Sequence, residues 1–299
     1  MYDVTLFSED FSSFPLGPFP YDSEHSAMGE YHYFPEAGYK GQWHDPIANY
    51  NYKGPSWVVT NPLLDGVRMM ELSRIQEPVE KTTLPTLVSG DTRWQDYQLS
   101  VRLRPLSKDL FTGALVRYQT SLRHYGVFFT KEGLEVQKVD LTERTILKKA
   151  AVGWSTAEYQ DLTVTTKGNV ITVSLNGQQV LIVEDERYTH GAIALCGCMP
   201  TQYAALEVKA THAEQDRLKK EEAEEQKRIQ EKRMLHPQLK ADRKIDLRDF
   251  GAGRQIRFGH LTGTNELFFV MAQNQRRVYK DRYPVISCLT AVSLETGKV

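Results

Sequence analysis

Cysteine is scarce in this chain, and so is any imbalance of charge. Three cysteines, two of them a single residue apart at Cys196 and Cys198 and the third far off at Cys288, are too few and too badly placed for a disulfide framework. With 37 basic against 38 acidic residues the formal charge is -1, so no global field draws nucleic acid or an anionic membrane surface. The opening segment MYDVTLFSEDFSSFPLGPFP has neither a basic start nor a long apolar run, and it reads as neither a signal peptide nor a membrane span. These lacks point to a reduced, cytoplasmic protein; a secreted chain that had lost its leader would look the same. No nucleic-acid or membrane partner and no cofactor is expected.

What is present is β structure. Residues 158–185, EYQDLTVTTKGNVITVSLNGQQVLIVED, alternate side chains with period two around Lys167-Gly168-Asn169 and Asn176-Gly177, and Asn-Gly supplies the positive φ of a tight hairpin turn. This is a three-strand meander. Further short strands are predicted near 4–7, 57–60, 67–72, 86–89, 97–104, 113–119, 125–130, 134–139, 145–149, 191–198 and 203–210. With no helical period between them, a two-sheet sandwich over residues 1–212 is the economical architecture.

At residue 213 the composition changes. AEQDRLKKEEAEEQKRIQEKRML is built from helix formers with dense mixed charge, its strongly apolar residues too sparse for a heptad seam. It reads as a charged linker helix within 213–240, closed by Pro237. Residues 241–299 return to three strands with turns at Thr262-Gly263 and Thr296-Gly297. Their spacing fits one incomplete propeller blade whose fourth strand would begin near Lys298. A lone blade leaves both faces unburied, so the missing blades are expected in cis or on a partner chain.

The opening LFSEDFSSFPLG, the pair DYQLSVRLRP and GALVRYQTSLRHYGVFF, and the meander followed by YTHGAIAL resemble the concanavalin-like jelly roll. More narrowly they resemble laminin-G-like domains of the 3-keto-disaccharide hydrolase type and accessory modules of bacterial glycan-degrading enzymes. The tail resembles the first blade of propeller polysaccharide lyases of the rhamnogalacturonan and rhamnose-glucuronate groups. The resemblance implies an all-β jelly roll, a linker helix and a partial propeller blade. It also implies a glycan-associated module of a lyase-like protein, inactive by itself, with a poly- or oligosaccharide partner that includes uronate. The alternatives are a self-contained hydrolase of the 3-keto type and a purely structural interaction module.

Candidate site residues follow from sugar chemistry. The aromatic stretch from Tyr31 to Trp57, with Tyr39, Trp43, His44 and Tyr50, supplies rings for sugar CH faces and polar groups for hydroxyls; equally, a long loop needs such rings to pack itself down. In the tail, Asn274, Arg276 and Arg277 form a basic loop that would neutralise a uronate carboxylate, or serve as a solvated turn. His44-Asp45 as base and orienter, or Glu9-Asp10 as paired carboxylates, would be catalytic candidates, but neighbouring strand residues point to opposite faces. Asp10 is also the position at which a jelly-roll calcium site would begin, although 203–207 lacks the aspartate often found opposite. Cys196 and Cys198 read as buried small hydrophobes before they read as metal ligands.

Overall fold

The structure is a computed structural model, and it describes residues 1–19, 39–40, 43–46, 57–61, 69–72, 84–236, 240–241, 244–245, 255–274 and 287–298. In chain order the strands are β1 (Val4–Glu9), β2 (Gly17–Pro18), β3 (Tyr39–Lys40), β4 (Trp43–His44), β5 (Trp57–Thr60), β6 (Met69–Leu72), β7 (Thr86–Ser89), β8 (Tyr97–Pro105), β9 (Thr112–Thr120) and β10 (Arg123–Thr130). They continue with β11 (Gly133–Asp140), β12 (Glu143–Ala150), β13 (Gln160–Lys167), β14 (Val170–Leu175), β15 (Gln178–Glu184), β16 (Ala192–Gly197) and β17 (Thr201–Ala210). Every pairing between them is antiparallel.

Two sheets result. One has the order β15-β14-β13-β8-β17-β6-β5-β2, with β1 also on β17; the other runs β12-β11-β10-β9-β16-β7-β4-β3. Alternation explains how they stack. On β8, Tyr97, Leu99, Val101 and Leu103 are buried while Gln98, Ser100, Arg102 and Arg104 face away. Facing them from the second sheet, Val116, Tyr125, Val127, Phe129 and Val136 complete one large core. The jelly-roll sandwich expected from the sequence is therefore present.

Two buried polar side chains tie the sheets together. The Tyr203 hydroxyl lies 3.0 Å from Thr112 Oγ1 and donates toward the carbonyls of Gly113 at 3.1 Å and Cys196 at 3.2 Å. Arg117, fully buried and with φ of 49°, donates through Nη1 to Tyr188 O at 2.8 Å and through Nη2 to Gly168 O at 2.5 Å. Its own N–H donates to the Tyr97 hydroxyl at 2.7 Å. A bulge beside β16 permits this inward turn of a residue the alternation alone would not place there.

The chain folds as two compact units, Met1–Arg228 and Ile229–Val299. The helix α1 (His212–Leu235) crosses that boundary. Its start is a capping sequence, Thr211-His212-Ala213-Glu214, with Glu214 N–H donating to Thr211 Oγ1 at 3.2 Å. The Glu214 carboxylate is nevertheless turned to the sandwich, where it accepts from Gln95 N at 2.9 Å and from Arg217. Arg217 also donates to Arg93 O at 2.7 Å, and Leu218 packs on the core, so this end of α1 is anchored rather than solvated.

In the second unit, β18 (Gln255–Gly259), β19 (Phe268–Asn274) and β20 (Ser287–Ser293) form a three-stranded antiparallel meander. The three tail strands are as expected. These three strands by themselves do not confirm a propeller blade; after Ser293 the chain turns at Thr296-Gly297, with Gly297 N donating to Ser293 O and Ser293 N to Lys298 O, each at 2.9 Å. No described helix is long and apolar enough to cross a membrane.

Candidate functional site

Of the residues singled out in the sequence, Trp43 is interior. Trp43, expected to face a sugar, is 0% exposed; its ring packs 5.6 Å from Phe7 and 5.7 Å from Phe11, and its Nε1 donates to Glu9 Oε2 at 3.3 Å. An aromatic count cannot separate a ring that binds from one that fills the core, and here burial wins. Tyr39 and His44 pair with each other in β3 and β4, where His44 also lies opposite Val88. Asn274 pairs with Ser287 at the end of the three-stranded sheet. Tyr50, Arg276 and Arg277 lie outside the described residues.

The acidic pair at the N-terminus has structural duties. Glu9 accepts from Phe11 N at 2.7 Å, and Asp10 accepts from Ser12 N at 2.9 Å and Ser12 Oγ at 2.6 Å. Those Ser12 bonds hold the Asp10 carboxyl below its ordinary value. Cys196 is fully buried, and burial pushes its thiol well up; burial also raises Cys198 to about 11. Both are protonated thiols at neutral pH, poor ligands and poor nucleophiles. Among the described residues no three His, Cys, Asp or Glu side chains are grouped as a metal would need.

A cleft forms at one end of the sandwich. Gly153, Trp154, Ser155, Glu158, Tyr159, Gln160, Asp161 and Asn176 line about 530 Å³ there. Two elements build it. The segment after β12 is fixed by Trp154, whose Nε1 donates to Thr130 O at 2.8 Å and whose ring stands edge-on 5.6 Å from Phe129. Lys108 lies 4.5 Å above the same ring and donates to Trp154 O at 2.8 Å. From the other side, the turn residue Asn176, with φ of 51°, locks onto β13: its N–H donates to Asp161 O at 2.8 Å, its Oδ1 accepts from Asp161 N at 2.9 Å, and its Nδ2 donates to Gln160 Oε1 at 3.0 Å.

Tyr159 is the half-buried aromatic side chain of this cleft. Arg102 and Arg104 hold their guanidinium carbons 5.5 Å and 5.2 Å from its ring centre. Its hydroxyl donates to Gln202 Oε1 at 3.4 Å, and Arg104 donates to the same oxygen through Nε at 2.9 Å and Nη2 at 2.5 Å. Burial raises the Tyr159 hydroxyl, with the two arginine charges opposing that rise, so it is protonated at neutral pH. The lining thus brings together the rings of Trp154 and Tyr159, the carboxylates of Glu158 and Asp161, the hydroxyl of Ser155 and the amides of Gln160 and Asn176, the two amides being bonded to each other. That set can stack on a pyranose face and exchange hydrogen bonds with its hydroxyls.

The sequence held a signal for it: tyrosine between acids and amides at 158–161, and arginines two apart on a strand, hence on one face. Neither was selected by composition, because the richer aromatic stretch nearer the N-terminus outweighed it.

The outer face of the second sheet is different. Val88, Leu115, Tyr118, Phe128, Ala192, Ala194 and Cys196 form a separate buried cluster there. Tyr118 stacks on His124, centroids 5.7 Å apart and planes at 23°, and His124 Nδ1 lies 3.2 Å from Thr120 O. Burial lowers His124 to about 4, so the ring is neutral at physiological pH. Burial raises Tyr118, assisted by the charge of Asp45.

No family model matches the chain, and no curated protein matches it. Solved structures do. A carbohydrate-binding module of Bacillus subtilis aligns over 56% of this chain and 96% of its own, with 9% identity and a TM-score of 0.44. A protein of Z. galactanivorans solved with laminaritriose and laminaritetraose aligns over 70% and 100%, with 10% identity and a TM-score of 0.45. A galectin of Caenorhabditis elegans aligns over 43% and 91%, with 12% identity and a TM-score of 0.37. Likenesses this distant assign neither an activity nor a ligand to this chain.

Proposed function

We propose that this chain is a glycan-recognition module whose jelly roll takes an oligosaccharide in the cleft between the segment 153–161 and Asn176. The observation that carries the reading is the Tyr159 ring, set immediately before β13 among Glu158, Gln160, Asp161 and Asn176. A sugar presents a CH face and a rim of hydroxyls, and this cleft supplies a partner for each. In this reading the Glu158 and Asp161 carboxylates act as acceptors for sugar hydroxyls. Participation in polysaccharide degradation belongs to the same proposal and rests on the sequence resemblance.

The test is a glycan array followed by calorimetry on the best binder. Tyr159→Ala should weaken binding by about tenfold or more, the worth of one stacked ring. Asn176→Gly keeps the positive φ of the turn, which glycine adopts freely, while removing the amide and its bonds to Asp161 N and Gln160 Oε1; it should weaken binding and also cost about 1–2 kcal/mol of stability. Binding unchanged in both variants, or no binding by the wild type to any glycan, overturns the proposal.

A further inference from the structure

Arg102 and Arg104 stand two apart on β8, on the face away from the core, and both guanidinium groups lie over Tyr159. Such an arrangement brings like charges together, which costs free energy unless something of opposite sign is near. Among the described residues neither arginine pairs with a carboxylate. Arg104 spends two N–H donors on Gln202 Oε1, an amide oxygen with no formal charge, although a glutamate would offer the same oxygen with a charge. Asp161 is opposite Arg102 in the β13–β8 register, yet Arg102 is turned to the ring instead.

The result is two guanidinium groups side by side, one anchored by Gln202, against an aromatic ring that also lines the cleft, whose own lining carries the carboxylates of Glu158 and Asp161. Guanidinium groups match planar or tetrahedral oxyanions through two parallel N–H donors, and fixing them in advance reduces the entropy lost on binding.

We infer that the cleft selects acidic glycans, with Arg102 and Arg104 receiving the anionic group of a sugar residue seated against Tyr159. The ligand class is an oligosaccharide bearing a carboxylate, as in a uronic acid, or a sulfate ester. This deepens the glycan-recognition reading and rests on it.

The decisive experiment compares three probes by calorimetry at low and moderate salt: an oligogalacturonate, the same chain with its carboxyl groups reduced to alcohols, and a sulfated galactan oligosaccharide. The wild type should bind at least one anionic probe tenfold or more tighter than the reduced chain, and that preference should shrink as salt rises. Whether the carboxylate or the sulfate is preferred identifies the anion. Gln202→Glu is nearly isosteric and keeps the acceptor for Arg104 while neutralising it, so it should cut the anionic preference severalfold; Arg102→Gln should do the same. Asp161→Asn, which removes a nearby negative charge, should raise it.

Equal binding of charged and reduced chains by the wild type overturns the inference and leaves the glycan-recognition reading standing. A preference that survives in both Gln202→Glu and Arg102→Gln also overturns it, because the anion then sits elsewhere. Failure of every probe, neutral and charged, together with an empty glycan array, removes the underlying reading.

Discussion

His124 is a buried imidazole whose charge the fold excludes. Its pKa falls to about 4 from the ordinary 6.5 because burial penalises the cation, and the charge of Arg144 adds to the effect against the backbone bond to Thr120. The unfolded chain takes up a proton near 6.5 that the folded chain refuses until about 4. Folded stability from this group is therefore intact above pH 6.5 and is lost as pH falls toward 4, by up to about 3 kcal/mol. Urea midpoints at pH 7 and 4.5 should show a smaller acid loss in His124→Phe than in the wild type; equal losses would place the acid sensitivity on other groups. At Asp185 burial pushes the carboxyl up, but the bonds from Lys138 and Tyr125 together outweigh that push and hold it below its usual range. Its contribution runs in the same direction, and it is common to both proteins, which is why the comparison isolates the histidine.

At the scale of the element, two kinds of glycine carry different penalties. Gly177 has φ of 81° and open space around an added Cβ, so Gly177→Ala meets only backbone strain, about 1 kcal/mol. Gly113 lies within β9, where an added Cβ would come within 1.9 Å of Val127 O on the neighbouring strand. Gly113→Ala should therefore cost about 3 kcal/mol or more by forcing β9 and β10 apart. Chemical denaturation of the two variants checks the order; a Gly177 variant that loses as much as the Gly113 variant would mean that the hairpin turn directs folding more strongly than its local strain implies.

That contrast also shows what a sequence can and cannot disclose. The Asn176-Gly177 turn was legible because it depends on residues adjacent in the chain, as were the strand runs at 57–60, 86–89 and in the meander. Arg117 was not: it reads as the outward charge of an alternating strand, and only a bulge against β16 and acceptors at Gly168 and Tyr188 turn it inward. The site was obscured for the same reason. Trp43 and Tyr159 are alike in sequence as rings among polar residues, and the packing of distant Phe7 and Phe11 decides that one is interior and the other lines a cleft.

For the whole molecule, the first unit contains its own continuous core, and the anchored turn of α1 closes against it through Glu214 and Arg217. A chain ending after Leu235 should keep the strand signature in circular dichroism and melt in one cooperative step. Non-cooperative melting of that chain would show that the following residues help to hold the sandwich.

The pairing of β1 with β17 has a mechanical consequence. Val4 lies opposite Ala210, and Asp3 N donates to Ala210 O at 3.1 Å, so the chain enters and leaves the sandwich at neighbouring points. Tension applied between those two points would meet the ladder one rung at a time, peeling β1 away from Ala210 toward Leu206 rather than loading all the rungs together in shear. A module spliced into a longer protein at this point would yield at low force, and its first strand would be the first part to come away.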